Sequence, residues 1–446
     1  MECLSAANRI LVAKIEPSSV RMNPYSLAQL IWPYDRKGLP FKFRTVEPHE
    51  YEPDAHGMLF SAVMGDLINP MSSPLDPYSE FAKQAPLDFD LVTFPEAFVP
   101  APLFVETLDA IREIGPTGCF HVGLRPSDAS NHLFSAAGAG QLVDKLAQLA
   151  PSVNDDLVAF RGWLHGLSAN SMINLASIFM VDANAQLRVC LHPKLVRSSS
   201  ELSVRAEETM VEGTLLTVLS LIPTGGSLST INVQPLICAD ATNLKPDTGL
   251  GGPIQVLNMP DCFAGNPPDH IDVVSVVTCT TQQTGKGKAP QAGGHWHERF
   301  KATFQASENY LRHSHASFVM SNFRKIEEGS PAGGSGVFMP VRPPKGAAGG
   351  GIQLSCFGRP RDQPTTWNRW SDDEDPLSWS SLAFTLGLAP WPHAEESVRV
   401  LQGTIVRLPR EDGVRVGQAG VADCRVRVGR ANPDGSFSFE FLPEAV

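Results

Sequence analysis

Three apolar runs in this chain each stop at a reactive side chain, and that pattern constrains the fold more than any other. Leu91-Val-Thr-Phe-Pro-Glu96 ends on a carboxylate, Leu191-His-Pro-Lys194 on an ammonium, and Val233-Gln-Pro-Leu-Ile-Cys238-Ala-Asp240 on a thiol. Short apolar runs bounded by turn residues read as buried strands. Open α/β sheets present their chemistry just beyond strand ends. A carboxylate, an ammonium and a thiol delivered there can act together on a carbonyl or nitrile carbon.

The remaining runs predict an α/β chain. Arg9–Ile15 reads as a first strand, and Pro17–Pro77 shows no clear period, with Gly57–Ile68 as its one ordered element. A strand at Asp88–Phe94, a helix at Pro102–Glu113 with Pro in its first turn and a strand at Cys119–Leu124 follow. Gln141–Leu149 is helical by its Leu142, Leu146 and Leu149 spacing. Ile173–Val181 and Gln186–Leu191 flank Asp182-Ala-Asn-Ala and predict a hairpin leading to Lys194. Leu215–Ile222 and Ile231–Ile237 flank Thr224-Gly-Gly-Ser and predict a second hairpin leading to Cys238. Strands at Ile271–Thr278 and Ala316–Asn322 bracket a helix at His297–Ser314, which carries Phe300, Phe304 and Leu311 on one face.

Composition changes near Pro343. Residues 343–397, with their Gly346–Gly351 run and acidic Ser371–Pro376, read as a linker or insertion. Residues 398–446 read as a C-terminal β extension completing the sheet, through Val398–Leu408 and two short runs around Asn432-Pro-Asp-Gly. The glycine run lacks the Lys-Ser/Thr of a phosphate loop.

The net charge of −11 argues against nucleic-acid and anionic-membrane surfaces. No apolar run approaches the length that spans a bilayer, and no basic segment followed by an apolar stretch opens the chain. Eight scattered cysteines without a C-x-x-C fit a reducing, cytoplasmic setting. His295/His297 and His313/His315 are two apart, so a helix holds each pair on divergent faces. They read as surface or pocket-rim residues, with no metal expected.

A thiol becomes a nucleophile when a neighbour takes its proton. Glu96 is the candidate base, Lys194 the cation for the oxyanion, and the N–H of Ala239 a second donor. Glu96 would then protonate the leaving amine and activate water against the thioester.

In these residues the chain resembles the nitrilase, or carbon–nitrogen hydrolase, superfamily, whose catalytic set is Glu-Lys-Cys in that order. Phe94-Pro-Glu96, the hairpin from Asn174 to His192-Pro-Lys194, and Leu236-Ile-Cys238-Ala-Asp240 resemble its three motifs. Arg299…Ser307-Glu308-Asn309, Val319-Met-Ser-Asn322 and Gly333-Gly-Ser-Gly resemble its supporting blocks. The likeness runs from about residue 9 to 340 and resumes at Val398–Leu408.

It implies a nitrilase-type four-layer α/β/β/α sandwich over residues 1–342, with insertions near 17–80 and 122–172. It also implies catalytic Glu96, Lys194 and Cys238 with supporting Ala239 and Asp240. A second glutamate, chosen among Glu201, Glu207, Glu208 and Glu212, is assigned to Glu207 from its distance to Val211 and Gly213. Trp296 falls where a loop lines the pocket. The expected activity is cofactor-free hydrolysis of a small amide or carbamoyl compound by a homodimer or larger homo-oligomer. Ala239, where the family commonly has an aromatic residue, favours an amide over a nitrile. A binding or assembly module acting with a partner protein, and a thioester-based acyl transferase, are the alternatives.

Overall fold

The computed structural model describes residues 26–34, 41–48, most of 56–64, 89–127, 132–198, 201–203, 205–223, 230–242, 252–258, 268–279, 311–313, 316–323, 335–341, 353–357, 380–387, 400–407, 423–431 and 437–441. They form a mixed α/β fold with two large sheets. The first runs in the order β1 (Ser26–Tyr34), β10 (Leu215–Pro223), β11 (Ile231–Ile237), β12 (Val273–Val277), β13 (Ser317–Ser321), β14 (Gly336–Val341), β15 (Gln353–Phe357). The second begins β19 (Phe437–Phe441), β18 (Asp423–Ala431), β16 (Ser380–Gly387), β17 (Val400–Arg407). It continues through β2 (Phe41–Glu47), β3 (Leu91–Thr93), β5 (Cys119–Arg125), β8 (Leu175–Val181) and β9 (Leu187–Pro193). β4 (Val99–Pro100) pairs with the end of β5, while β6 (Phe134–Ser135) and β7 (Met172–Ile173) make a separate small pair.

Strand direction brings the site together. β2, β3 and β5 are parallel neighbours, and two antiparallel steps through β8 return β9 to the same direction. β11, β12 and β13 are likewise parallel. The carboxyl ends of β3 and β9 therefore lie together in one sheet, and those of β11 and β12 lie together in the other. The two sheets pack face to face, β12 across β3 and β5, β11 across β8, and β10 across β9.

A polar seam joins the two faces. Ser275 Oγ on β12 lies 2.9 Å from Thr93 Oγ1 on β3 and 2.8 Å from His121 Nδ1 on β5. His121 Nε2 lies 3.1 Å from His192 Nε2 on β9, so one ring donates and its partner accepts. Alternation along β5 separates this seam from an apolar face: Phe120, Val122 and Leu124 belong to the core beneath the helices.

That core is built by periodic helices. α1 (Ala101–Arg112) buries Phe104, Leu108 and Ile111, and α2 (Ala136–Ala147) buries Ala139, Leu142, Val143 and Leu146. α2 starts where Ser135 Oγ accepts from Gly138 N at 3.0 Å, an N-cap bond. α3 (Pro151–Asp156) and α4 (Val158–Leu164) add Val153, Phe160 and Leu164 to the same cluster. Full burial of each such side chain stabilises the fold by about 1.5–3 kcal/mol. A second cluster joins Ile254, Val256 and Leu257 of α5 (Pro253–Leu257) to Val218, Leu236, Val274 and Phe318 of the first sheet. Among the described residues no helix is long and apolar enough to cross a membrane.

Several sequence expectations change. Residues 17–80 are no simple insertion, because β1 lies in one sheet and β2 in the other, and His56, Leu59, Phe60, Val63 and Met64 are buried helical residues. The period-two Phe-Lys-Phe-Arg-Thr-Val-Glu of β2 carries a strand signal that the surrounding prolines obscure. Residues 343–397 hold β15 and β16 rather than a linker alone, and β17 lies inside the second sheet, paired with β16 and β2. The stretch 122–172 supplies α2, α3 and α4, which cover a sheet face. Arg9–Ile15 and most of His297–Ser314 lie outside the described residues.

The seam makes stability pH-dependent. Burial holds His192 down at about 3, against an ordinary 6.5. Burial, with the His192 charge adding to it, holds His121 well below that ordinary value. The unfolded chain takes up these protons near pH 6.5 and the fold resists them, so stability is full above that pH and falls as the pH drops towards 3. Each histidine should contribute up to about 1.4 kcal/mol per pH unit across the window. Urea unfolding between about pH 7 and pH 4 measures this slope, and His192→Asn should flatten it.

Candidate active site

Each reactive side chain is set by a local backbone device. Beyond β3 the chain crosses β5 with Phe94 N donating to His121 O at 2.8 Å, Gly123 N to Pro95 O at 3.1 Å and Phe98 N to Gly123 O at 3.0 Å. Gly123 permits this crossing, since a Cβ there would lie 2.4 Å from Glu96 Cα and 2.5 Å from Ala97 N. Ala97 turns the chain at φ 53°. Lys194 follows β9, its N–H donating to Asn174 O at 2.9 Å and its carbonyl accepting from Gly213 N at 2.8 Å. Cys238 follows β11 at φ 46° and opens the 3-10 turn Cys238–Thr242. A left-handed non-glycine residue costs about 1–3 kcal/mol and clusters at functional sites.

Asp240 braces two of these segments. Its Oδ1 accepts from Leu195 N at 2.9 Å and Val196 N at 2.7 Å, directly after Lys194. Its Oδ2 accepts from Ile237 N at 3.1 Å, directly before Cys238. Burial pushes this carboxyl up to about 8, against the downward pull of Lys194 and the three N–H groups. Glu96 is tied to the facing sheet, its N–H donating to Thr278 O at 3.3 Å and its Oε2 accepting from Cys279 N at 3.0 Å.

The centre is a buried ring of four polar atoms. Lys194 Nζ donates to Glu96 Oε1 and Glu201 Oε1, both at 2.9 Å. Asn174 Nδ2 donates to the same two oxygens, both at 2.8 Å. Exposure is only 1% for Lys194, 3% for Glu201 and 4% for Glu96, so these charges lack bulk water. Burial alone would lower Lys194, but the Glu201 and Glu96 carboxylates override it and hold it well above its usual value. Burial alone would raise Glu201, but Lys194, the nearby His132 ring and the bond from Asn174 hold it well below the carboxylate range. Glu201 Oε2 also accepts from Ser198 N at 2.8 Å and Ser198 Oγ at 2.7 Å.

Cys238 borders this ring. Burial pushes its thiol up to about 12, Glu96 adds to the rise, and Lys194 and the neighbouring Thr278 hydroxyl oppose it. At neutral pH the resting group is a thiol whose proton must be taken during attack.

The structure brings Glu96, Lys194, Cys238 and Asp240 together, with Ala239 buried beside the thiol. It corrects the second glutamate. Glu207 is exposed on the 3-10 turn Ala206–Glu208, and Glu201 occupies the expected place. Spacing to Gly213 misled because Glu201, whose N–H donates to Ser198 O at 3.1 Å, is the glutamate that reaches the lysine. Its Ser-x-x-Glu pattern carried that signal. Glu212 instead accepts from Arg197 N at 3.0 Å, and Glu208 from Ser203 Oγ at 2.9 Å.

Asn174, Ser198 and Thr278 are further site residues that spacing alone did not single out. His313 is buried rather than on a rim: Nε2 donates to Gln234 Oε1 at 2.7 Å and Nδ1 accepts from Asn258 Nδ2 at 2.8 Å. Trp296, His295, His297 and His315 lie outside the described residues. Among the described residues no group of three or more His, Cys, Asp or Glu side chains could hold a metal ion. Searches against protein-family models and curated proteins find no match for this chain.

Two measurements test this geometry. Glu201→Gln weakens a buried ion pair and should lower unfolding stability at pH 7 by about 2–4 kcal/mol, whereas Glu207→Gln should stay within about 0.5 kcal/mol. Alkylation of Cys238 by iodoacetamide should accelerate steadily from about pH 7 to pH 10 without a plateau.

Proposed function

We propose that the chain is a nitrilase-type amidohydrolase that cleaves a non-peptide carbon–nitrogen bond of a small amide or carbamoyl compound. The observation that carries this reading is the buried Lys194 ammonium, 2.9 Å from both Glu96 and Glu201 and electrostatically coupled to a strand-end thiol. Two sheets face to face, with helices beneath the second and α5 against the first, support a four-layer α/β/β/α arrangement.

The chemistry follows from the donor set. Cys238 Sγ attacks the carbonyl carbon while Glu96 takes the thiol proton, a general-base step suited to a thiol held near 12. Charge gathers on the carbonyl oxygen. Two Lys194 N–H bonds are committed to carboxylates, and the third has no acceptor among the described residues, so it serves the oxyanion. Collapse of the tetrahedral adduct breaks the C–N bond, and Glu96 returns the proton to the departing amine. Water, deprotonated by Glu96, then attacks the thioester carbon and releases the acid and the Cys238 thiol. Nothing in this cycle requires a cofactor.

The raised Cys238 also favours one competing reading, a nitrilase-like module that binds a partner without turnover. Trapping separates the two. Incubation with an amide panel, acid quench and peptide mass spectrometry should show an acyl adduct on Cys238, and Cys238→Ala should lose adduct and turnover together. Equal turnover by Cys238→Ala would sink the hydrolase reading. Added hydroxylamine should be acylated only if the thioester accepts amines, which distinguishes transfer from hydrolysis.

A further inference from the structure

We propose that Asn174 is a positioning residue that fixes which oxygen of Glu96 works as the base and which proton of Lys194 meets the oxyanion. This rests on the thioester reading above. Asn174 immediately precedes β8 and lies across from Lys194, whose N–H bonds to its carbonyl at 2.9 Å. The next pair in register is Leu175 with Pro193, so both side chains rise from one point of an antiparallel ladder.

The ring around Lys194 alternates donor and acceptor at every corner. Glu96 Oε1 accepts from Lys194 and Asn174, and so does Glu201 Oε1. This occupies Glu96 Oε1 twice. Among the described residues Glu96 Oε2 accepts only Cys279 N, at 3.0 Å, and keeps a lone pair for the Cys238 proton. An amide suits the fourth corner because it adds two donors and no charge. A second cation there would compete with Lys194 for both carboxylates, and a carboxylate would repel them. Asn174 Oδ1 is buried without a partner among the described residues, so the two carboxylates set the amide, since reversing it would face oxygen against oxygen. The neighbouring titratable groups are His132, whose Nε2 lies 3.9 Å from Glu201 Oε1, and Cys238, Asp240 and Cys279.

Removing the two donors should make a proton on the paired carboxylates easier to add. A bond to a charged group is worth about 1.5–3 kcal/mol, so the acid limb of the pH–rate profile should rise by about one to two pH units. A purely structural residue would lower the plateau and leave the limb in place.

The test uses p-nitrophenyl acetate as the acyl donor. Attack by Cys238 forms an acetyl thioester and expels p-nitrophenolate, and water regenerates the thiol as acetate leaves. Wild type should show a p-nitrophenolate burst and an acetyl adduct on Cys238. Asn174→Ala should move the acid limb of kcat/KM upward as stated. Asn174→Asp keeps the size of the side chain and serves where Asn174→Ala does not fold; its added negative charge should also raise the limb and slow acylation about tenfold or more. An adduct on wild type with an unmoved acid limb in a folded variant overturns the role of Asn174. Absence of the adduct on wild type overturns the thioester reading and this inference with it.

Discussion

One ammonium shared by two carboxylates in a nearly dry interior is the constraint on which the site depends. A buried charge costs several kcal/mol unless it is paired and hydrogen-bonded. Lys194 meets that condition only because Glu96 and Glu201 reach it from separate parts of the chain. Glu96 comes from beyond β3, and Glu201 comes from a turn that Ser198 closes. Once these three are in place their positions leave little freedom, since moving any one leaves an unpaired charge. Asp240 extends the same logic to the thiol by fastening the backbone after Lys194 to the backbone before Cys238.

The sheets supply the register that makes this possible. The Thr93–Ser275–His121–His192 chain crosses four strands and fixes one sheet against the other a short distance from the reactive ends. Neutral imidazoles suit this place. They give directional bonds without charge, and a slip of one residue would turn each of these side chains towards the opposite face. Glycines act at two narrow points, Gly123 under Glu96 and Gly213 beside Lys194, where a Cβ would lie 2.4 Å from Glu96 Cα and 2.9 Å from Lys194 O.

Much of this was legible in the sequence, and for identifiable reasons. The strands at 91–93, 119–125, 175–181, 187–193, 215–223 and 231–237 are apolar runs closed by turn residues, so their ends, and with them Glu96, Lys194 and Cys238, could be read directly. What escaped was set by tertiary contact. β1 contains Gln29 and Pro33, and its membership of the first sheet follows from parallel pairing with β10, nearly two hundred positions later. β15 and β16 lie in a region whose glycine and acidic composition spoke for a linker. Glu201 rather than Glu207 was chosen by a turn, not by spacing, and the bonds of Asn174 to two carboxylates have no local signature. His313 reads as surface by helical arithmetic, but is held by Gln234 and Asn258 from other segments.

The pairing of β17 with β2 has a bearing on how the chain is made. β2 lies within the first fifty residues and its neighbour β17 begins at Val400, yet the two run side by side over seven registered pairs from Leu401–Phe41 to Arg407–Glu47. During synthesis one edge of β2 lacks this neighbour until the segment up to Arg407 has emerged. An open strand edge invites foreign partners, and pairings so distant in sequence form slowly. The nascent chain can already hold Glu96, Lys194 and Cys238, all made before residue 240, while the sheet beside them is still unfinished. Completion of the fold is therefore a late, chain-length-dependent event, and the interval before it is when the protein is most exposed to misassembly.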